Sequence, residues 1–535
     1  MHEAVAAEAP NLKPVTHSLT GVRAGIPTLA EVSLAVGSAL LLVLSFPDFD
    51  LWPLAWIGLV PLLVVVAQAR TRSTAFVLGL LWGIIFFYGS CWWLTYPMIH
   101  YGHLPAWLAY LLLIFPVLLV GVFPALTCAF LAHLISRFGS SALLAAPFIW
   151  ISLEEARYGI TGQVWNTIGY SQAFHPSLIQ SARWGGVYAV GFVLLLANSA
   201  IAFVLLRRTI ASALGSLLLL ILIALFTAMP IRSLKPEPNS KMSTLIVAIQ
   251  PNVPMEEIDS VTSQQLLDRH FELTTGALSA SAAAPATHRV IIWPESPMNF
   301  SYSRDPQLRD VVSNFARNNQ TSLMLNSLEP APNGGAYNSA LLVNQEGRIV
   351  AQYDKIRLMP FGEYVPLPRW LPGASSVRGI VGDFTPGNSY TLMPLGDLRA
   401  GVFICVEAAH PGIARTFTNE GADVLVNISN DGYLGPTPVM RQHLANAIFR
   451  AVENDRDIVR VTNSGISALI TSGGEALNAT SGFQPAVRTW TIMKANQGTT
   501  FYTRHGDMFL LVCAMISLGF IAASVMTKRT YNRRG

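Results

Sequence analysis

The chain has 535 residues, of which 52% are hydrophobic and only 12% charged, with a formal net charge of +4. Soluble domains carry about a quarter charged residues, so much of this chain must face lipid. So small a charge, with no basic run interleaved with aromatics, argues against a nucleic-acid partner.

Residues 1–27 mix Ala and Pro without a basic-then-apolar layout, and are expected to be a cytoplasmic tail, not a cleaved leader. Eight apolar segments are expected as spans, near 28–46, 52–69, 75–95, 106–135, 142–157, 186–206, 210–229 and 507–526, each close to the roughly 20 residues a bilayer core requires. The fourth is long enough to tilt or to hold an interfacial turn. The fifth is short and ends in Glu154 and Glu155. Seven of these make a membrane domain over 28–229; the eighth stands alone at 507–526.

Arg70 and Arg72 follow the second span, Arg137 the fourth, Arg207 and Arg208 the sixth, and Lys528, Arg529, Arg533 and Arg534 the eighth. The loops after the first and third spans carry no Lys or Arg. The loop after the fifth, with Arg157 and Arg183, is the imperfect one. Basic residues mark the cytoplasmic side, which puts both termini there, including the basic tail 527–535, and puts residues 230–506 outside, in a bacterial periplasm. Trp92, Trp93, Trp107, Trp165 and Trp184 sit near span ends, where interfacial anchors or ordinary packing would both place them.

Residues 230–242 read as a linker. Beyond them apolar runs alternate with helical stretches, which indicates an α/β layer structure. Strands are expected at 244–250, 288–293, 321–326, 338–344, 348–353, 398–405, 423–428, 457–463 and 466–472, and helices at 262–284, 304–318, 408–418 and 436–453. Asn344-Gln345-Glu346-Gly347 reads as a hairpin turn. The runs 288–293 and 423–428 are apolar almost throughout, as strands buried on both faces are.

Three polar residues interrupt apolar runs here. Glu295 sits in Val-Ile-Ile-Trp-Pro-Glu-Ser-Pro, Lys355 in Tyr-Asp-Lys-Ile-Arg-Leu-Met-Pro-Phe-Gly-Glu, and Cys405 in Gly-Val-Phe-Ile-Cys-Val-Glu. Cys405 is the one cysteine of this stretch; Cys91, Cys128 and Cys513 lie in apolar segments, and no Cys-x-x-Cys pair suggests a metal or redox site. Each residue alone has a bland reading: a buried small hydrophobe, a capping carboxylate, a solvated lysine. Together they supply a nucleophile, a base and an oxyanion stabiliser. The helix expected after Cys405 would lower its thiol pKa. His410, five residues on, is read as structural.

The order Trp-Pro-Glu, Asp-Lys, Cys-x-Glu, followed by Arg450-Ala-Val-Glu453-Asn454 and Thr462-Asn463-Ser464-Gly465, resembles the nitrilase superfamily of carbon–nitrogen hydrolases. The arrangement of spans and the segment Lys-x-x-Leu-x-Pro-Phe-Gly-Glu-Tyr-x-Pro at 355–366 are similar to its membrane-embedded branch, the apolipoprotein N-acyltransferases. That resemblance implies a multi-span α-helical membrane domain plus an α/β nitrilase-like four-layer α-β-β-α sandwich. It implies a Glu295–Lys355–Cys405 triad working through a thioester, no cofactor and no metal. It implies a phospholipid acyl donor and, as acceptor, the amino-terminal diacylglyceryl-cysteine of a lipoprotein. Glu363 and Glu407 match further acidic positions, with supporting roles in orienting Lys355 and shaping the surroundings of the acceptor amine.

The segment 358–372, with Leu358, Phe361, Leu367 and Trp370, is too apolar for an ordinary exposed loop, and is expected to cover the acyl pocket or dip into the bilayer. The chain departs from the family pattern at Val406, where Tyr is usual, in the absence of Trp from Pro251–Ile258, and at Asn430-Asp431-Gly432-Tyr433-Leu434. These positions, Tyr433 among them, bear on substrate choice. Two other enzymes fit the triad, a membrane-bound amidase and a lipid acyltransferase of altered specificity. A transporter with a ligand-binding outer domain is disfavoured by spans that carry no charge.

Overall fold

A computed structural model describes residues 25–162, 165–228, 243–255, 260–282, 288–332, 334–365, 384–494 and 498–526. The amino-terminal tail to residue 24, the linker 230–242, Leu367, Trp370 and the basic tail 527–535 lie outside the described residues.

The apolar segments fold as helices: α1 (Leu29–Ser45), α2 (Val60–Gln68), α3 (Arg72–Cys91), α4 (Thr95–His100), α5 (Ala106–Leu112), α6 (Ile114–Phe138), α7 (Ala146–Thr161), α8 (Ala182–Arg207) and α9 (Ile210–Ala228). Thr28 opens α1 with a capping box shared with Glu31, and Thr71 caps α3 through the Thr74 amide. The fourth expected span is two helices that break at Leu113, and α6 ends at Gly139, whose φ of 68° suits a residue without Cβ. α3 and α6 approach backbone to backbone. A Cβ on Gly79 would meet the Pro124 carbonyl oxygen at 2.7 Å, and one on Gly83 would meet Gly121 Cα at 2.8 Å. Small residues allow such contact between helices that no hydrophobic force drives together in lipid. Among the described residues, five helical stretches are long and apolar enough to cross a membrane, and Leu29–Ser45 and Trp52–Gln68 are shorter apolar ones.

The remainder is built on two six-stranded sheets. The first has the order β12-β1-β2-β3-β4-β5, with β1 (Ser243–Gln250), β2 (His288–Ile292), β3 (Ser322–Pro330), β4 (Ala336–Val343), β5 (Ile349–Asp354) and β12 (Ala486–Met493). The second has the order β11-β10-β9-β8-β7-β6, with β6 (Leu392–Leu395), β7 (Leu398–Ile404), β8 (Val424–Ser429), β9 (Ile458–Thr462), β10 (Ala468–Ile470) and β11 (Ala476–Leu477). The middle strands β1-β2-β3 and β7-β8-β9 are parallel.

Side-chain alternation explains the layering. Ile246, Ala248, Val290 and Ile292 point inward and join Val402, Ile404 and Val426 of the second sheet in one core. Val247, Ile249, Ile291 and Trp293 point outward to Leu308, Val312 and Ala316 of α11 (Pro306–Asn319) and to Ala277 of α10 (Ser260–Ala280). A strand buried on both faces is mostly apolar, as the Val290–Ile292 part of β2 and most of β8 are. α12 (Pro411–Asn419) and α13 (Val439–Asn454) cover the other sheet, giving the four α-β-β-α layers. The chain closes with α14 (Phe501–His505) and α15 (Met508–Met526).

The hairpin 344–347 forms as expected, with the Asn344 amide donating to the Arg348 carbonyl at 2.9 Å. Strands β6, β11 and β12 were not among those expected. The first two are very short, and β12 alternates exposed Thr489 and Thr491 with buried Trp490 and Ile492 on a sheet edge. Trp92, Trp107 and Trp184 are exposed. Trp93 and Trp165 are not interfacial anchors: both donate indole N–H groups to Gln442 Oε1 of α13, at 3.1 and 2.9 Å.

Candidate active site

The ends of three strands converge. Glu295 follows β2 and the Trp293-Pro294 pair, Lys355 directly follows β5, and Cys405 directly follows β7. Ligand sites in parallel sheets gather at such carboxyl ends. Lys355 is 1% exposed; its Nζ lies 3.3 Å from Glu295 Oε1 and 2.9 Å from Glu363 Oε1. Burial works against its charge, but Glu295 and Glu363 hold it well above the usual lysine range, so it is a fixed ammonium. Two of its three hydrogens face carboxylates.

Cys405 is partly buried and is a free thiol. Its φ of 52° is left-handed, a conformation few non-glycine residues adopt, and it opens a 3-10 turn through Ala409. Burial, then the charge of Glu295, push the thiol well above its ordinary range, with Lys355 pulling the other way. This differs from the expected acidification by a helix start: α12 begins at Pro411, beyond the turn, and burial acts most strongly on the sulfur, followed by Glu295.

Two family models match this chain, that of the apolipoprotein N-acyltransferase N-terminal domain over residues 38–200 and that of carbon-nitrogen hydrolases over residues 254–495. A protein of Geobacter metallireducens named apolipoprotein N-acyltransferase is 32% identical over 493 residues, covering 90% of this chain and 92% of its own. The chain belongs to the apolipoprotein N-acyltransferase family. It is thus an acyltransferase of a membrane-bound kind with a nitrilase-like fold. Another relative so named, from Allorhizobium ampelinum, is 30% identical over 77% of this chain and 78% of its own. Among solved structures, an amidase from Nesterenkonia sp. AN1 aligns with 51% of this chain and 98% of its own at 18% identity, with a TM-score of 0.35.

In this acyltransferase the supporting carboxylates differ in what they touch. Glu363 takes Lys355 Nζ on Oε1 and the Met359 amide on Oε2, at 2.7 Å. Glu407 is 1% exposed and accepts from the Ile404, Ile356 and Arg357 amides and the Tyr353 hydroxyl, all within 3.0 Å. Burial lifts its carboxyl to about 7 against those donors. Glu407 thus ties the turn that begins at Cys405 to the loop that follows Lys355.

Several site residues are silent in the sequence reading. Asn338 of β4 donates to Glu295 Oε1 at 2.9 Å and to Glu363 Oε1 at 2.7 Å, and its carbonyl accepts from the Lys355 amide. The Asn430 amide donates to Glu295 Oε2 at 3.0 Å. Asn338 was detectable as a polar residue inside an apolar strand; a backbone amide has no sequence signal. His410 turns Nδ1 to the Tyr158 hydroxyl of α7 at 3.2 Å, and burial with Arg357 pushes it down to about 3.

Around the mouth, Leu358 is half-buried, and Phe361, with φ 60°, is 48% exposed. Tyr433 donates to the Phe361 carbonyl at 3.5 Å and stacks on Tyr101 with centroids 5.2 Å apart. Val406 is buried in the turn.

Proposed function

We propose that this enzyme moves a fatty acyl chain from a membrane phospholipid to the amino-terminal amine of a lipoprotein's diacylglyceryl-cysteine. The carrying observation is the meeting of a buried ammonium, a carboxylate and a thiol at the ends of strands from two sheets, in a chain that also holds helices long and apolar enough to cross a membrane.

The reaction divides at Cys405. Its sulfur attacks the ester carbonyl carbon of the lipid, and its proton passes to Glu295. Lys355 holds the oxyanion of the tetrahedral intermediate. The carbon–oxygen bond breaks, Glu295 returns the proton to the leaving lysophospholipid oxygen, and an acyl thioester remains. The lipoprotein amine then attacks that thioester. A carbon–nitrogen bond forms, the carbon–sulfur bond breaks, and the amine's proton passes by Glu295 to the sulfur. An oxyester becomes an amide, which is downhill and needs no nucleotide or cofactor.

We assign Glu363 and Asn338 to orienting Lys355 and Glu295, and Glu407 to fixing the lysine loop. Leu358, Phe361 and Tyr433 border the acyl entrance, together with Leu367 and Trp370. Residues 28–229 and 507–526 form the membrane part, and residues 230–506 the catalytic part. With α1 and the 52–68 segment counted, and the 56-residue stretch Ala106–Thr161 crossing twice, there are eight crossings, an even number that supports both termini lying on one side. The arginines after alternate spans make that side the cytoplasm and put the catalytic part in the periplasm of a bacterial inner membrane.

Purified enzyme given acyl-labelled phospholipid and a diacylated lipopeptide tests the reaction. Label on the lipopeptide amine supports it. Ammonia release from small amides without acyl transfer supports the amidase instead.

A further inference from the structure

We propose that His443 is a positioning residue for the nucleophile: clamped by Asp431, it donates from Nε2 to the Cys405 carbonyl and holds that residue's backbone in its left-handed conformation. The inference rests on Cys405 being the nucleophile.

Cys405 needs such a restraint. A non-glycine residue at φ 52° persists only where its surroundings over-determine it. The Cys405 carbonyl oxygen lies 2.9 Å from His443 Nε2, and His443 Nδ1 lies 2.8 Å from Asp431 Oδ1. Both partners are acceptors. A carbonyl oxygen can only accept, so the contact with Cys405 is a donation from Nε2. His443, 3% exposed, is thus held between two acceptors, with Nε2 aimed at the carbonyl of Cys405.

The negative partner is built to last. Asp431 Oδ2 receives Arg460 Nη2 at 3.0 Å, and Oδ1 receives the Ser429 hydroxyl at 3.1 Å. Burial opposes its charge, yet Arg460 and His443 hold its carboxyl well below the usual range. Gly465 lies so close that any Cβ there would strike the Asp431 carboxylate.

The helix that carries His443 is fixed as well. Its neighbour Gln442 accepts from Trp93 and Trp165 and donates to the Ser90 carbonyl at 3.0 Å. Arg441 pairs with Asp50 at 2.9 Å. Three consecutive residues of α13 thus join the membrane helices to the turn that presents the thiol.

His443→Ala would leave Asp431 short of a partner and confuse folding with positioning. His443→Gln and His443→Asn separate the two. A Gln amide reaches the place of Nε2 and donates to Cys405; an Asn amide reaches the place of Nδ1 and bonds only Asp431. Full-length enzyme in detergent micelles, given labelled phospholipid and lipopeptide, is assayed for kcat and KM, with melting temperature measured alongside. The expected result is a kcat for Gln about tenfold or more above that for Asn, KM for the lipopeptide being unchanged in both. Equal values, the reverse order, or wild-type kcat in both overturns the proposal. Cys405→Ala runs beside them: acyl transfer by that variant removes the nucleophile reading itself, whatever the order of the His443 variants.

Discussion

Glu295 and Lys355 meet on one carboxylate oxygen only: Lys355 Nζ is 3.3 Å from Oε1, while Oε2 is held by the Asn430 amide of the opposite sheet. The carboxylate therefore spans the seam between the two sheets, and its position depends on both. If Glu295 is the base proposed above, this hold lets it take a proton from Cys405 without losing its orientation.

Glu295→Gln separates acidity from catalysis. The Glu295 charge is among the causes that raise the Cys405 thiol pKa. In the wild-type enzyme, iodoacetamide alkylation of Cys405 should keep rising with pH beyond 9, without levelling near the free-cysteine value of about 8.5. The Gln variant should alkylate faster at a given alkaline pH, because a carboxylate that disfavours thiolate is gone. Its acyl transfer should nevertheless fall by about 10²–10⁴.

Lys355→Met should affect both stability and rate. It strands Glu295 and Glu363 together in a buried site, where breaking an ion pair costs about 3–5 kcal/mol. It also removes the oxyanion donor, for an expected loss of about 10²–10³ in kcat. Denaturant unfolding and single-turnover kinetics on the same sample read the two effects separately.

Glu407→Gln keeps shape but reverses a donor. The Gln amide nitrogen must face backbone N–H groups of Ile404 or of Ile356 and Arg357. A cost of about 1–3 kcal/mol is expected for the unsatisfied groups, with a looser lysine loop and slower transfer. Hydrogen exchange at Ile356 and Arg357 should rise in this variant.

The entrance is tested by charge. Phe361→Asp, Leu367→Asp and Trp370→Asp should each lower transfer from phospholipid vesicles while melting temperature holds. Unchanged transfer dismisses a lipid-contacting role for the segment.

What the sequence makes legible follows from what each signal is. β2 and β8 are visible because burial on both faces favours apolar runs, nearly complete in each, and Glu295 and Cys405 stand out as the polar residues that end or follow such runs. β12 is hidden because an edge strand with Arg488, Thr489 and Thr491 among its residues shows only half a hydrophobic pattern. Trp93 and Trp165 have the position of membrane-interface residues, yet their N–H groups serve Gln442, a partner more than 270 residues away along the chain. His443, Asn338 and the Asn430 amide belong to the site only through such distant contacts. The depression of the Cys405 pKa expected from a nearby helix is absent for a related reason: burial in the folded site, then the charge of Glu295, act on the sulfur more than the residues that follow it.

The most direct test of the account is the mass of Cys405 after the enzyme meets phospholipid with no acceptor present. The account predicts a single acyl chain on the peptide containing Cys405, released by hydroxylamine and transferred to lipopeptide amine when that is added. Transfer that proceeds with Cys405 unmodified, or that survives Cys405→Ala, would contradict it.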